Sequence, residues 1–261
     1  MLSHDPLWPR AGDWPAPAGP ADIALVGVPT SATSLSPTRA HLTPDAVREA
    51  LRRYSFESAL AIVDAGERLD VDAALLIALG GDNSATVPVA TARRATGLVT
   101  LDAHHDLRDG SSNGSPVREL IAAGLAGTRV VQVGIEPFAN SRAYAQRAAD
   151  LGITVILRDE LRRRPVADIM AEAIEIAGDR VHVDLDVDVC DRAVAPACPA
   201  SVPGGISAIE LRDAARVAGG HPAVTSIDLV EVDASADAPD GRTVRLVALC
   251  VLEAMKAFGA R

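Results

Sequence analysis

The sequence predicts a three-layer α/β/α fold around a central, mostly parallel sheet, and two features point to it. Short aliphatic runs alternate with stretches of helical length along the whole chain, the pattern of strands joined by crossover helices. The composition agrees: of 261 residues, 48% are hydrophobic but only 3% aromatic. A core built from Ala, Val, Leu and Ile suits strands that are buried on both faces.

The elements follow in order. Residues 1–21 hold five prolines and are expected to form an irregular leader packed on the surface. Ile23–Pro29 is a first strand ending in a turn. Thr43 precedes a helix over Asp45–Tyr54, as N-cap with Pro44 at the first helical position. Leu75–Leu79 is a second strand, closed by Gly80-Gly81. Thr86–Arg94 is helical, with Pro88 tolerated in the first turn. Leu98–Leu101 is a strand ending at Asp102. Helices are then expected over Arg118–Ala126 and Ser141–Leu151, with strands at Val130–Gly134 and Thr154–Leu157. Asp159 and Pro165 open two further helical stretches, running to about Gly178. A strand over Arg180–Val187, a helix over Ser207–Gly219 capped by Ser207, a strand over Val224–Val232 and a long helix over Thr243–Phe258 complete the chain. No linker or internal repeat divides residues 1–261, which predicts a single domain.

The bulk chemistry excludes several roles. A formal net charge of -10 argues against a nucleic-acid partner, because phosphate binding needs clustered Lys and Arg. No apolar run reaches the length that spans a bilayer, and no basic segment precedes an apolar one at the start. Cys190, Cys198 and Cys250 show no framework spacing and read as free thiols in a reducing compartment. The expectation is a cytoplasmic protein acting on a small molecule, with no membrane contact. The thiols are expected to be core filler. His4, His41 and His221 have no motif around them, and His182 reads as a core or supporting residue.

Three strand ends collect ionisable groups. Gly80-Gly81-Asp82-Asn83-Ser84 follows one strand, Asp102-Ala103-His104-His105-Asp106 the next, and Asp184, Asp186 and Asp188 close a third. Asp228 and Glu231 lie near the end of a fourth. In open α/β sheets ligands bind beyond the carboxyl ends of the strands. Burying unpaired carboxylates is costly, and neighbouring carboxylates repel unless a cation sits between them. On an extended strand Asp184, Asp186 and Asp188 would share one face. The D-x-H-x-D and D-x-D patterns therefore predict a divalent metal site. Carboxylates and imidazole without thiolates suit manganese better than structural zinc. His105 should point away from His104 and serve the structure.

These motifs resemble those of the ureohydrolases, the arginase, agmatinase and formimidoylglutamase group. The family's G-G-D-H-S stands here as Gly80 to Ser84, its D-A-H-x-D as Asp102 to Asp106, and its D-x-D-x-x-D-P as Asp186 to Arg192, followed by Ala195-Pro196. Its E-V stretch is Asp228 to Asp233. The resemblance implies an arginase-like fold and assembly into homo-oligomers, trimers or hexamers. It also implies two Mn2+ ions held by Asn83, Asp102, His104, Asp106, Asp186 and Asp188, with Asp184 left over; the alternative register, with Asp184 and Asp186 as ligands, needs a two-residue insertion before Asp191. A metal-activated hydroxide would attack the carbon of an amidine or guanidine. Asp106 would carry a proton to the leaving amine, and Glu231 would pair with the amidinium. Asn83 stands where the family has a histidine. It either holds the metal or a water on it, leaving one site weak, or marks a mononuclear or inactive member.

The loop after the second motif bears on the substrate. Leu107 to Pro116 is short, and Asn113 occupies the place of the arginase histidine. The D-A-H-x-D-L-R opening and S-x-G-S-P ending resemble the formimidoylglutamase branch. Arg108 could clamp a substrate carboxylate with its planar guanidinium, or could pair with Asp109 or Asp191. Asn113, Arg118, Arg192 and Glu231 are further substrate-contact candidates. The implied reaction is hydrolysis of formimidoylglutamate to glutamate and formamide. A guanidino hydrolase, or a metal-poor family member with a binding role, are the alternatives.

Overall fold

The computed structural model describes residues 5–261, so His4 lies outside the described residues. Eight parallel strands form one sheet in the order β2-β1-β3-β8-β7-β4-β5-β6. They are β1 (Ala21–Val28), β2 (Ile62–Asp64), β3 (Ala73–Gly80), β4 (Gly97–Leu101), β5 (Val130–Ile135), β6 (Thr154–Leu157), β7 (Val181–Asp186) and β8 (Val224–Val230). The helices are α1 (Thr43–Leu51), α2 (Thr86–Ala92), α3 (Pro116–Ala122), α4 (Arg142–Asp150), α5 (Arg158–Leu161), α6 (Val166–Ala177), α7 (Ala208–Gly220) and α8 (Arg242–Phe258).

The aliphatic runs behave as their composition predicts. Leu75, Leu76, Ile77, Ala78 and Leu79 of β3 are all buried, as are Val181, Val183 and Leu185 of β7. Both faces of such a strand are covered, so neither face can be polar without a reason. Ser207 caps α7 in a full capping box with Glu210, satisfying amide groups that a helix start otherwise leaves free.

Two expectations need correction, and one strand was not anticipated. The edge strand β2 was not legible, because three residues show no alternation. Thr43 is the first residue of α1, not its cap. Its hydroxyl instead donates to Val232 O at 2.5 Å and accepts from Ala234 N at 3.1 Å, tying the start of α1 to the end of β8. The leader is less superficial than expected: Ala11 is buried, and Trp14 packs edge-on against Phe56 at 6.5 Å.

One face of the central strands carries a polar row. Backbone register places Gln132 beside Thr100, Thr100 beside Asp184, and Asp184 beside Asp228. His182 sits beside Ser226 one row below, with Nδ1 2.9 Å from Ser226 Oγ and Nε2 3.2 Å from Asp228 Oδ2. All six are buried. This row leads to the carboxyl ends of β3, β4, β7 and β8, where the polar clusters converge. Cys190, Cys198 and Cys250 are free and buried, and burial pushes the Cys190 thiol well above its ordinary value.

Candidate active site

Four strand ends build the site. After β3, Gly81 approaches Thr30 so closely that a Cβ would strike the Thr30 carbonyl oxygen, so only glycine permits this turn. Asp82 then caps the turn Asn83–Ala85 by accepting from Ser84 N at 3.2 Å. After β4 the chain enters the turn that carries His104 and Asp106. At the end of β7, Asp186 accepts from Asp188 N at 2.8 Å and caps the turn Val187–Val189. The three aspartates therefore do not share one extended face: the strand ends at Asp186, and the turn carries Asp188 toward β4. After β8, Glu231 follows with φ of 61°.

Asp102, His104 and Asp188 offer ligand atoms that all lie within 4.8 Å of one another. His104 Nδ1 is 3.4 Å from Asp102 Oδ1 and 3.0 Å from Asp188 Oδ2. Asp106 and Asp186 adjoin this group through Asn83, whose Nδ2 donates to Asp106 Oδ2 at 2.7 Å and to Asp186 Oδ2 at 3.1 Å. The Asn83 Oδ1 accepts from Thr86 Oγ1 at 2.6 Å, so the amide turns its nitrogen toward the carboxylates. Asp184 stays in the sheet beside Asp228, outside the group.

The electrostatics fit a cation. Burial, then repulsion from Asp188, pushes the Asp102 carboxyl up to about 6. Burial and neighbouring carboxylates likewise hold Asp106 and Asp186 well above the usual range. Burial opposes the charge on His104, yet Asp188 and Asp102 hold its proton up to about 12. Burial also raises Asp188, but His104 more than offsets it and the carboxyl ends below its ordinary value. Among the described residues the imidazolium is thus the single positive charge beside at least four buried carboxylates. Asp102 Oδ2 is buried without a hydrogen-bond partner. An all-oxygen and imidazole donor set with an orphaned carboxylate oxygen fits a hard or borderline divalent ion such as Mn2+.

A cavity of about 360 Å³ opens onto this centre. His104, Asp106, Asp186, Asp188 and Glu231 line its inner end, and Arg108, Asn140, Ser141 and Tyr144 line its outer part. Glu231 Oε1 accepts from Asn83 N and from Asn113 Nδ2, each at 2.7 Å. Burial outweighs these bonds and pushes the Glu231 carboxyl up to about 7. Asn113, in the place of the arginase histidine, therefore holds Glu231.

Arg108 is the cation of the outer cavity. Neither expected acidic partner reaches it: Asp109 pairs with Arg147 at 2.8 Å, and Asp191 accepts from Ala193 N and Gly204 N at 2.8 and 2.6 Å. Its guanidinium lies 6.0 Å from the Tyr144 ring centroid and has no acidic partner among the described residues. The loop that presents it is braced on both sides. Arg118 Nε donates to Arg108 O at 2.6 Å, and Arg147 Nη1 donates to Leu107 O at 2.6 Å. Arg118 thus braces the loop and does not line the cavity. Arg192 does not line the cavity either: its guanidinium donates to Pro199 O at 3.2 Å and to Ser201 Oγ at 3.3 Å, so it anchors the loop after Asp191.

Gln132, Asn140 and Tyr144 were missed. They lie on β5, in the loop before α4 and on α4, away from the motifs, and no local spacing marks them. His105, expected to be structural, is buried with Nδ1 2.7 Å from Gln132 Oε1. Burial lowers its pKa.

A family model described as the arginase family matches residues 61–256. The chain is similar to the formimidoylglutamase of Bacillus subtilis, at 31% identity over 89% of this chain and 86% of that protein. The crystal structure of a B. subtilis formimidoylglutamase superposes with a TM-score of 0.89 at 28% identity, covering 99% of this chain and 94% of the other. A Trypanosoma cruzi formiminoglutamase solved with Mn2+ has the same fold, with a TM-score of 0.88 at 22% identity over 97% of this chain and 99% of that one. No helix of the described residues is long and apolar enough to cross a membrane.

Proposed function

The chain belongs to the arginase family, and from that premise we propose that it is a manganese-dependent hydrolase of formimidoylglutamate, yielding glutamate and formamide. The observation that carries the substrate is Arg108: a guanidinium with no acidic partner among the described residues lines one cavity with an acidic inner end. Formimidoylglutamate has the matching polarity, an amidinium at one end and two carboxylates at the other. Agmatine, which ends in an amine, would find a cation where it needs an acid.

Asp102, His104, Asp106, Asp186 and Asp188 would hold two Mn2+ ions, with Asn83 at the edge of one. Manganese supplies Lewis acidity that makes water nucleophilic near neutral pH. The chain's own groups do the rest. Glu231, fixed by Asn83 and Asn113, binds the amidinium and sets its plane. Asp106 reaches the cavity from a fixed turn and can accept a proton from the attacking water. It returns that proton to the glutamate nitrogen as the C–N bond breaks. Arg108 holds the distal carboxylate and fixes which way round the substrate enters. Assembly into trimers or hexamers and a cytoplasmic location belong to the same reading.

A panel of formimidoylglutamate, arginine, agmatine and guanidinobutyrate with Mn2+ tests this. Turnover of formimidoylglutamate is expected to exceed the others. Turnover of agmatine alone would remove the role given to Arg108.

A further inference from the structure

The turn that carries His104 and Asp106 is held by two neutral side chains outside the ligand set. Gln132 of β5 is fully buried. Its Oε1 lies 2.7 Å from His105 Nδ1, and its Nε2 donates to His105 O at 2.8 Å. Asn140, which immediately precedes the cap of α4, bonds the same turn from the cavity side. Its Nδ2 donates to Ala103 O at 2.8 Å and to Glu136 O at 2.9 Å, and its Oδ1 accepts from His105 N at 3.0 Å.

Together these contacts leave the turn little freedom. Ala103 N and His104 N donate to Asp188 Oδ1 at 3.4 Å and Asp102 Oδ1 at 2.7 Å, so the turn also holds two of the carboxylates. The result appears at Asp106, whose φ is 52°. Non-glycine residues take this left-handed conformation uncommonly, Asp more readily than most, and surrounding bonds help to keep it there. Gln132 and Asn140 are the side chains that bond the residue just before it. His105 lies between two ligands, so its position fixes both.

We propose that Gln132 and Asn140 are positioning residues of the metal centre. Through His105 and the Ala103 carbonyl they aim His104 at Asp102 and Asp188, and hold Asp106 in its left-handed backbone at the cavity wall. Asn140 also lines the cavity, so one amide joins the ligand turn to the substrate space. The inference rests on the metal-centre reading above and not on the identity of the substrate.

The test titrates Mn2+ into the wild-type chain, Gln132→Met and Asn140→Asp, with free Mn2+ followed by electron paramagnetic resonance. Gln132→Met keeps volume and removes both bonds. Asn140→Asp keeps the acceptor for His105 N and loses the two donors. Loss of such supporting groups typically weakens metal binding about 10–100-fold, and that range is expected for Gln132→Met, with Asn140→Asp between it and the wild type. The kcat for formimidoylglutamate should fall while KM stays within about twofold, because neither change removes Arg108 or Glu231. Variants that melt cooperatively at a lower temperature yet bind Mn2+ as tightly as the wild type would overturn the proposal. If Gln132→Met does not fold, Asn140→Asp decides alone. The Mn2+ titration needs no substrate, so failure here is distinguishable from failure of the substrate reading.

Discussion

Replacing Arg108 by Met removes the cavity's cation while leaving its loop in place. The Arg108 carbonyl is held by Arg118 at 2.6 Å and the Leu107 carbonyl by Arg147 at 2.6 Å; neither bond involves the Arg108 side chain. A hydrogen bond to a charged partner contributes about 1.5–3 kcal/mol. Arg108 is exposed at the cavity mouth, where water screens the charge, so the lower part of that range applies. A loss of about 1.5–2 kcal/mol corresponds to a fall of about 10–30-fold in kcat/KM. Arg108→Lys keeps a point charge but loses the planar fork, and should fall between the two. The assay compares kcat/KM for formimidoylglutamate with that for an amidine of similar size lacking carboxylates, at saturating Mn2+. The loss should be confined to formimidoylglutamate and shrink as salt is raised. An equal loss on both substrates would show that Arg108 acts on the site's structure and would refute the clamp.

Three further outcomes follow from the same geometry. Chelation of Mn2+ should abolish activity and lower the melting temperature, because the metal offsets repulsion among Asp102, Asp106, Asp186 and Asp188. At 100 times its Kd a bound ion stabilises by about 2.7 kcal/mol, roughly 5–10 °C for a domain of this size; a melting curve indifferent to Mn2+ would contradict it. Asn83→His replaces an amide that donates to two carboxylates with a ring that can offer a lone pair. Mn2+ affinity at the weaker site should rise about tenfold, near 1.4 kcal/mol, and unchanged affinity in a titration would show that this corner does not meet the metal. Asp233→Asn should destabilise the chain by about 1–3 kcal/mol in denaturant unfolding, because the Asp233 carboxylate accepts from Arg39 N, Thr38 Oγ1, Ser235 N and Ser235 Oγ. Burial raises the Asp233 pKa, but these bonds more than offset it and leave it below its ordinary value. Its stabilisation is therefore present above the unfolded pKa of about 4 and lost as pH falls through the folded value. The gap between wild type and Asp233→Asn should narrow in acid; a gap independent of pH would count against the carboxylate's role.

Much of the fold was legible because each long element carries its own local cause. Ser207 with Glu210 announces α7, and the unbroken aliphatic run from Leu75 to Leu79 announces β3. Thr43 shows the limit of such signals. A threonine before proline has the chemistry of a cap, yet the hydroxyl finds Val232 O from a segment 189 residues away, and a distant acceptor wins over the local amide. Arg192 shows the same limit for function. Its sequence neighbours are site residues, but its donors are consumed by carbonyls of the loop that follows. Arg108 differs because Arg147 takes Asp109 away from it, and nothing near Asp109 in sequence says so.

The three aspartates of β7 mark where strand periodicity stops being informative. Alternation puts Asp184 and Asp186 on one face, and residue type cannot separate them. What separates them is the end of the strand. Asp186 caps the turn Val187–Val189 and frees Asp188 to reach His104 at 3.0 Å, while Asp184 remains in the sheet with Asp228 as its neighbour in register. Burial, and then Asp228, hold the Asp184 carboxyl well above the usual carboxylate range, as burial does for Asp106 and Asp186, so position and not titration sets it apart. His182 beneath it bonds Ser226 and lies 3.2 Å from Asp228 Oδ2, completing a buried polar floor one layer below the ligands. A carboxylate at the strand end meets the cavity; the same residue two positions earlier meets only the sheet. Ligand and floor are thus distinguished by one turn of backbone, set by the capping bond from Asp188 N to Asp186 Oδ1 at 2.8 Å.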